Sequence, residues 1–254
     1  TMQVIANLVL IETETSKAAS TKKATLLIAP TSVMGNWQKE VEKFAPHLTT
    51  AIHHGAARLK DASEFKALAD GHHMVITSYS LARRDSKLLG QVNWQRIVLD
   101  EAQNIKNPKS AQSKAIFKLK GVSRLALTGT PVENRLMDLW SIFNFLNPGY
   151  LGTQAQFRKT YELPIQRHNS ATQSSLLKKL IEPFILRRLK TDKNIIKDLP
   201  DKVENKLYCN LSKEQAALYE AVVEDVEMQL AEKEGIELQG LMLSTLMKLK
   251  QICN

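Results

Sequence analysis

The chain has few cysteines and no long hydrophobic segment. Only two of its 254 residues are cysteines, Cys209 and Cys253, which lie far apart and match neither a CxxC motif nor a metal-ligand spacing. Free thiols in a reducing compartment are therefore expected. No apolar run approaches the roughly 20 residues that cross a bilayer. The N-terminal segment lacks a basic leader, so the sequence predicts neither a membrane protein nor a signal peptide. It also lacks an initiator Met, which suggests a fragment.

Positive charge is in excess, but only in part of the chain. The 35 basic and 26 acidic residues leave a net charge of +9. Residues 101–200 hold 17 basic and seven acidic residues, a net charge of +10, whereas residues 201–254 have a net charge of −4. A positive surface suits a polyanion such as nucleic acid, although charge alone does not establish that partner.

Short apolar runs recur in the first half, each followed by small polar residues. They are ATLLIAPTS (24–32), HMVITSYS (73–80), WQRIVLDEA (94–102) and SRLALTGTP (123–131). Continuous apolar runs of this length are typical of strands covered on both faces, and segments of helical character separate them. The sequence therefore predicts an α/β fold, a parallel sheet with helices on both faces. Ligands of such sheets bind at the carboxyl ends of the strands, where PTS, TSY, DEAQ and TGTP lie.

The second half is predicted to be mostly helical. Residues 136–152 predict an amphipathic helix that ends at an Asn-Pro-Gly sequence, and residues 154–198 are mainly helical and basic. Residues 199–212 contain a predicted strand. A capping box at 212–215 predicts a long helix, and a last helix is predicted over 238–253.

Asp100 and Glu101 end the apolar run RIVLDEAQ. At the tip of a buried strand, one carboxylate can hold Mg²⁺ against the phosphates of a nucleotide, and its neighbour can orient or deprotonate the attacking water. For an isolated pair, a strand that simply ends at the surface is the more common explanation. The surrounding motifs change that expectation.

The motifs together resemble the first RecA-like lobe of the Swi/Snf-type DNA translocases of helicase superfamily 2. LLIAPTSVMGNWQKEV and VITSYSLARRD precede DEAQ, and LALTGTP follows it after a helix and a strand. Later segments extend the similarity over essentially the whole chain: PVENRLMDLWSIFNFLNPGYLG, PFILRRLKTD, LPDKVE, CNLSKEQAALY and LMKLKQICN. The resemblance implies a RecA-like lobe over 1–150, a helical protrusion over 151–198 and the incomplete start of a second half over 199–254.

The resemblance implies that the parent protein uses ATP and Mg²⁺. Asp100 would hold Mg²⁺ through water, and Glu101 would position or activate the hydrolytic water. Gln103, where many relatives have His, would contact the nucleotide-dependent interface, but it cannot titrate near neutrality. Thr1 would be the last residue of the phosphate-binding loop, beside the nucleotide and Mg²⁺. The glycines and lysine of that loop would precede it, so we expect the isolated chain to be inactive as an ATPase.

The remaining motifs would connect ATP to DNA. Thr128, Gly129 and Thr130 would couple the ATP state to the grip on nucleic acid, and a plain turn is the alternative. Backbone contacts with DNA are implied for Pro30, Thr31, Ser32, Thr77, Ser78, Tyr79 and Arg83. Hydroxyl groups and N–H groups at helix N-termini donate to phosphates. N-capping of the next helix is an alternative or additional role for the hydroxyl residues, and a solvated helix face is an alternative for Arg83. A helical face shared with Val41 and Phe44 predicts that Trp37 is a core residue, with base stacking as the alternative.

The implied function is ATP-driven movement on double-stranded DNA. The implied partners are duplex DNA, protein–DNA complexes as substrates and a second RecA-like lobe of the same parent chain, without a membrane. The expected location is the cytoplasm or nucleoid, or the nucleus in a eukaryote. Two alternatives stay open: a module that binds nucleic acid or a partner without ATPase activity, and an RNA helicase of the same superfamily.

Overall fold

The computed structural model describes most of the chain: residues 1–17, 24–129, 135–187, 203–230 and 235–254. It divides into two compact units, Thr1–Leu186 and Arg187–Asn254. Within the described residues, none of the helices combines the length and the apolar character that a membrane span requires.

Parallel strands form the centre of the first unit. They are β1 (Thr25–Ala29), β2 (Thr50–His53), β3 (Met74–Ser78), β4 (Trp94–Leu99) and β5 (Gly121–Ala126), paired in the order β2-β3-β1-β4-β5. Every residue of β1 and β3 is buried, which explains why these strands are continuous apolar runs in the sequence. The predicted α/β fold with a parallel sheet is confirmed.

Helices before and between the strands cover both faces of the sheet. They are α1 (Met2–Lys17), α2 (Thr31–Phe44), α3 (Ala62–Gly71), α4 (Tyr79–Arg84), α5 (Ser86–Leu89), a 3₁₀ turn (Ala102–Ile105) and α6 (Ala111–Phe117). Adjacent residues of β1 point to opposite faces, as the period of a strand requires. Leu27 packs with Trp37 of α2 on one face, whereas Leu26 packs with Phe65 of α3 on the other.

A helical extension packs against the sheet through a shared helix. It comprises α7 (Leu136–Leu146), α8 (Gln154–Phe157), a π-helix (Arg158–Glu162), α9 (Leu163–His168), α10 (Ala171–Ile181) and a 3₁₀ turn (Glu182–Phe184). In α7, Phe145 belongs to the core beside the sheet, whereas Phe143 packs with Phe157 and Leu177 of the extension. The helix ends at Asn147, as predicted. Residues 188–198 of the predicted helical region lie outside the described residues, and the domain limits at 150 and 198 stay a prediction.

The second unit contains two long helices, α11 (Lys213–Leu230) and α12 (Gly235–Ile252). The predicted capping box is confirmed, because Ser212 Oγ accepts from the Gln215 N–H and Gln215 Oε1 accepts from the Ser212 N–H. The strand predicted within 199–212 is wrong for its described part, residues 203–212, which contain no strand. Leu207 and Tyr208 are 91% and 89% exposed there, so no neighbouring strand pairs with or covers this segment.

Candidate active site

The DEAQ segment, residues 100–103, begins at the carboxyl end of β4, between β1 and β5. Asp100 follows the buried Leu99 directly, and its N–H donates to the Ile28 carbonyl oxygen at 2.9 Å. Glu101 has φ 51° and ψ 57°, in the left-handed region that residues other than glycine rarely adopt. This backbone turn ends the strand and begins the 3₁₀ turn. As a result, the two adjacent carboxylates meet different partners.

The Asp100 carboxylate is held by α2. Its Oδ2 accepts a hydrogen bond from Trp37 Nε1 at 2.7 Å, and its Oδ1 accepts from the Glu101 N–H at 3.0 Å. Trp37 is 2% exposed, so the indole is a buried and rigid donor. The predicted core role of Trp37 is therefore confirmed, but it is incomplete. Trp37 fixes the orientation of the carboxylate that the motif assigns to Mg²⁺.

Tyr79, at the start of α4, holds the backbone of the same two acids. Its hydroxyl donates to the Asp100 carbonyl oxygen at 2.6 Å and lies 3.3 Å from the Glu101 carbonyl oxygen. Burial raises the pKa of Tyr79, and the nearby charges of Asp100 and Glu101 raise it further, so the phenol keeps its proton and remains a donor. Its side chain is buried, and its predicted DNA contact stays a prediction.

Gln103 connects Glu101 to the TGT segment, residues 128–130. Gln103 Nε2 donates to Glu101 Oε2 at 2.7 Å, and Thr128 Oγ1 donates to Gln103 Oε1 at 2.9 Å. The backbone reinforces this contact, since the Ala102 N–H donates to the Leu127 carbonyl oxygen at 2.8 Å. Thr128 is half-buried and Gly129 is exposed, whereas Thr130 lies outside the described residues. Hydrogen bonds therefore join described residues of the DEAQ and TGT segments into one group.

The acidic pair fits a Mg²⁺ ion that is shared with a nucleotide. Among the described residues, no three His, Cys, Asp or Glu side chains are grouped closely enough to hold a metal ion by themselves. Mg²⁺ at a phosphate site is commonly bound by one or two carboxylates, with water and phosphate oxygens as its other ligands. Asp100 is half-buried and Glu101 is exposed, so both carboxylates can be reached from solvent.

The PTS segment, residues 30–32, lies at the carboxyl end of β1 and begins α2. Thr31 and Ser32 are exposed, and α2 starts at Pro30 without a side-chain cap. The first N–H groups of a helix have no partner within the helix. This arrangement is compatible with the predicted phosphate contacts, and the alternative of N-capping is not observed here.

The residues at the end of β3 differ from this arrangement. Thr77 and Ser78 are buried; Thr77 Oγ1 donates to the His53 carbonyl oxygen at 3.1 Å, and Ser78 Oγ caps α4 by accepting from the Leu81 N–H. The alternative of N-capping is thus confirmed for Ser78. Thr77, Ser78 and Tyr79 thus hold the inside of the sheet edge together through buried side chains, and the predicted DNA contacts of this segment stay a prediction. Arg83 is exposed and stays a candidate.

A buried ionic cluster fixes the end of α4, next to Arg83. Asp85 Oδ2 accepts from Arg58 Nε at 2.7 Å and lies 3.0 Å from His53 Nε2. Burial lowers the pKa of His53 in spite of the nearby carboxylate, so the imidazole is neutral near neutral pH. The Arg58 guanidinium is the main cause that lowers the pKa of Asp85. The cluster joins the loop after β2 to the junction of α4 and α5.

Thr1 precedes α1, and its carbonyl oxygen accepts from the Val4 and Ile5 N–H groups. Val4 and Ile5 pack on the same sheet face as Trp37. Within the described residues, no hydrogen bond or ion pair joins Thr1 to the DEAQ segment. The predicted role of Thr1 beside the nucleotide therefore stays a prediction.

Comparison with known proteins identifies the family. The whole chain, residues 1–254, matches the family model described as the SNF2-related domain. The chain belongs to the SNF2 family. A putative ATP-dependent helicase/translocase of Bacillus subtilis (strain 168), YwqA, is 48% identical over 229 residues, covering 90% of this chain and 25% of that protein. The TATA-binding protein-associated factor MOT1 of Saccharomyces cerevisiae is 36% identical over 217 residues, covering 81% of this chain and 11% of that protein.

Solved structures of the SNF2 family have the same fold. The SWI2/SNF2 ATPase core of Sulfolobus solfataricus in complex with dsDNA is similar to this chain with a TM-score of 0.64 and 46% identity. The match covers 94% of this chain and 49% of that core. The fold is therefore RecA-like, as the motifs predict. This SNF2-family chain spans about half of the solved core and a quarter or less of these two curated relatives.

The sequence did not predict the contacts of Trp37 and Tyr79 with the acids of this SNF2-family site. Both residues are part of the quoted motifs, but spacing alone does not reveal which buried group meets which acid. One signal was available. A buried indole N–H or phenol needs an acceptor, so Trp37 and Tyr79 were each expected to have a polar partner.

Proposed function

We propose that this chain supplies the Mg²⁺-binding and water-activating side of the ATPase site in an SNF2-family translocase that moves on duplex DNA. One observation carries the proposal. The two elements that begin at the predicted DNA-facing edge, α2 and α4, both hydrogen-bond to the DEAQ acids, through Trp37 and Tyr79. If the DEAQ segment were only a strand end at the surface, two buried aromatic side chains would not be expected to donate hydrogen bonds to Asp100.

In this proposal the two carboxylates have different tasks. Asp100, oriented by Trp37, would hold Mg²⁺ through water, and bound Mg²⁺ would neutralise charge on the phosphate oxygens. Glu101 would accept a proton from the water that attacks the γ-phosphorus of ATP. A new P–O bond forms with that water, the bond to the β-phosphate oxygen breaks, and ADP leaves. Gln103 Nε2, 2.7 Å from Glu101 Oε2, would keep the base in position.

Coupling to DNA would use the same contacts. The exposed first turn of α2, at Thr31 and Ser32, would donate N–H and hydroxyl groups to the DNA backbone, with Pro30 setting the start of the helix. Trp37 lies on the same helix, so a displacement of α2 by DNA would reach Asp100 directly. Arg83 would add a phosphate contact from α4. Thr128, through Gln103, would pass changes at Glu101 to the TGT segment, including Gly129 and Thr130.

The proposed partners extend beyond this chain. Large apolar side chains are exposed on α11 and α12, among them Leu218, Met228, Leu246 and Met247. Because the solved SWI2/SNF2 core is about twice as long as this chain, a second RecA-like lobe is the proposed neighbour of these helices. Protein–DNA complexes are the proposed substrates, and MOT1, a TATA-binding protein-associated factor, supports this choice. A cytoplasmic, nucleoid or nuclear location stays a prediction.

The proposal is tested with DNA-stimulated ATPase activity of the full-length protein that contains this chain. Glu101→Gln keeps the shape of the side chain but removes the base, so turnover should fall at least about 100-fold. Glu42→Gln, an exposed acid on α2, is the matched control and should leave turnover unchanged. DNA binding should persist in both variants.

Two outcomes would contradict the proposal. Equal turnover of Glu101→Gln and Glu42→Gln would remove the assigned role of Glu101. A full-length protein that binds duplex DNA but shows no DNA-stimulated hydrolysis would instead establish the alternative of a binding module without ATPase activity.

A further inference from the structure

A basic cavity of about 680 Å³ lies within the first unit. Three parts of the fold line it: the segment after the 3₁₀ turn 102–105, the start of α7, and the helices of the extension from α8 to α9. Five cationic side chains face it: Lys106, Lys109, Arg135, Arg158 and Arg167. Among the described residues of the lining, Asp138 and Glu162 are the acids, so the formal charge of these residues is +3. The volume is within the range of sites that bind small ligands.

The two acids do not neutralise the cavity. Glu162 Oε2 is 3.7 Å from Arg158 Nε, so this carboxylate offsets only one of the five cations of the lining. Asp138 lies in the first turn of α7, where the helix dipole favours a negative charge. Within the described part of the chain, no ion pair joins Lys109, Arg135 or Arg167 to a carboxylate. A concave surface with this excess of positive charge concentrates anions.

The wall formed by the extension has an unusual backbone. Residues 158–162 form a π-helix, in which the Leu163 N–H donates to the Arg158 carbonyl oxygen five residues earlier. Such turns are rare and often occur at functional sites. This one places Arg158 and Glu162 on the lining together. The lining residues that the structure describes include no aromatic side chain and few apolar ones, so they offer little to an apolar ligand.

The opposite wall is fixed to the DEAQ segment. The Ile105 carbonyl oxygen accepts from two buried hydroxyl groups, Ser113 Oγ and Ser141 Oγ. Gln112 Nε2 donates to the Asn104 carbonyl oxygen at 3.0 Å. The 3₁₀ turn is thus held to α6 and α7, and Lys106 follows it directly. A ligand in the cavity would therefore sit at a fixed place relative to Glu101.

We propose that this cavity is a phosphate-binding site, separate from the acids of the DEAQ segment and from the PTS segment. Arginine side chains bind phosphate oxygens in pairs of parallel hydrogen bonds, and lysine adds a compact charge. The ligand is a phosphate group that belongs either to the backbone of duplex DNA or to a free polyphosphate. The site goes beyond the proposed ATPase function and does not depend on it.

The test compares two double variants of the full-length protein. Lys109→Ala/Arg167→Ala removes two cations of the lining, and Lys114→Ala/Lys120→Ala removes two exposed cations of the same unit outside the lining. All four side chains are exposed, so both variants should fold, which far-UV circular dichroism checks. Binding of a short DNA duplex is measured by fluorescence anisotropy over a range of salt concentrations. Binding of tripolyphosphate is measured by calorimetry. ATP is absent from both assays, so failure of the ATPase proposal would not affect the result.

Each outcome decides the proposal. If DNA is the source of the phosphate, the slope of log K against log salt should become less negative in the lining variant. The expected change is about 1.8, because each of two lost phosphate contacts contributes about 0.9. If a free polyphosphate is the ligand, its Kd should rise at least about tenfold while the DNA slope stays unchanged. If the lining variant and the control variant agree in both assays, the cavity is not a phosphate site.

Discussion

Replacing Trp37 by Phe tests whether α2 positions the Asp100 carboxylate, the proposed metal-binding group. The substitution keeps an aromatic ring on the buried face of α2 but removes the Nε1–H that donates to Asp100 Oδ2 at 2.7 Å. Asp100 Oδ1 would keep its bond from the Glu101 N–H. The carboxylate would thus lose one of its two fixed contacts and could rotate away from the position that Mg²⁺ requires.

The size of the effect follows from the strength of that bond. A hydrogen bond to a charged group contributes about 1.5–3 kcal/mol. About 1.4 kcal/mol of transition-state stabilisation corresponds to a tenfold change in rate. If all of the bond energy serves to position Asp100 in the transition state, DNA-stimulated turnover should fall by about 10- to 100-fold. The concentration of Mg²⁺ that gives half-maximal rate should rise, since Asp100 is the proposed metal-binding group.

Trp94→Phe is the matched control. Trp94 is 1% exposed, lies in the same unit, and donates from Nε1 to the Leu89 carbonyl oxygen at 2.8 Å. Both variants lose an indole hydrogen bond and leave a similar space, so their free energies of unfolding in urea should fall by similar amounts of about 1–3 kcal/mol. Only Trp37→Phe should change the dependence of the ATPase rate on Mg²⁺. The same Mg²⁺ dependence in both variants would refute the reasoning.

Two further predictions concern Tyr79 and the buried ionic cluster. Tyr79→Phe removes the 2.6 Å hydrogen bond to the Asp100 carbonyl oxygen and should lower turnover by about fivefold or more. The control, Tyr150→Phe, loses an exposed 3.0 Å hydrogen bond to the Leu180 carbonyl oxygen and should leave the rate unchanged. Equal rates in the two variants would show that Tyr79 does not contribute to the site. Burial holds the pKa of His53 below its ordinary value of 6.5, so the unfolded chain binds this proton more strongly than the folded chain. The contribution of neutral His53 to the free energy of unfolding should therefore be complete above about pH 6.5. Below that pH it should decline by up to about 1.4 kcal/mol per pH unit. In urea unfolding from about pH 7.5 to about pH 5.5, His53→Gln should reduce this decline and the exposed His54→Gln should not; an unchanged slope in His53→Gln would contradict the assignment.

The sequence predicted β1, β3 and β4, where burial on both faces made the strands continuous apolar runs, and also the half-buried edge strand β5. β2 was missed, because this edge strand has four residues and its Ile52 is exposed, which breaks the apolar run. The strand predicted within 199–212 failed for the opposite reason. Val203, Leu207 and Tyr208 have a suitable composition, but no neighbouring strand pairs with residues 203–212. A strand depends on its partners, and a single run of residues does not reveal them.

The candidate site was predicted in part. Motif order identified Asp100, Glu101, Gln103 and Thr128, and the structure joins the last three of them through side-chain hydrogen bonds. The same motifs predict a DNA contact for Tyr79, but they did not reveal that its side chain is buried with its hydroxyl against the backbone of the two acids. The direction in which a side chain leaves a strand end depends on the turn that follows, and motif spacing does not encode that turn.

The left-handed conformation of Glu101 explains why the site needs the surrounding fold. A residue other than glycine in this region is strained by about 1–3 kcal/mol and persists only where neighbouring contacts hold it. Here the Glu101 N–H donates to Asp100 Oδ1, and the Glu101 carbonyl oxygen accepts from Asn104 Nδ2 at 2.9 Å. The Tyr79 hydroxyl, at the start of α4, donates to the carbonyl oxygen of the peptide that joins Asp100 to Glu101. Trp37, on α2, donates to the Asp100 carboxylate. The strain at Glu101 is thus balanced by contacts from two other elements of the sheet edge. Movement of either α2 or α4 would therefore act first on the orientation of the two acids.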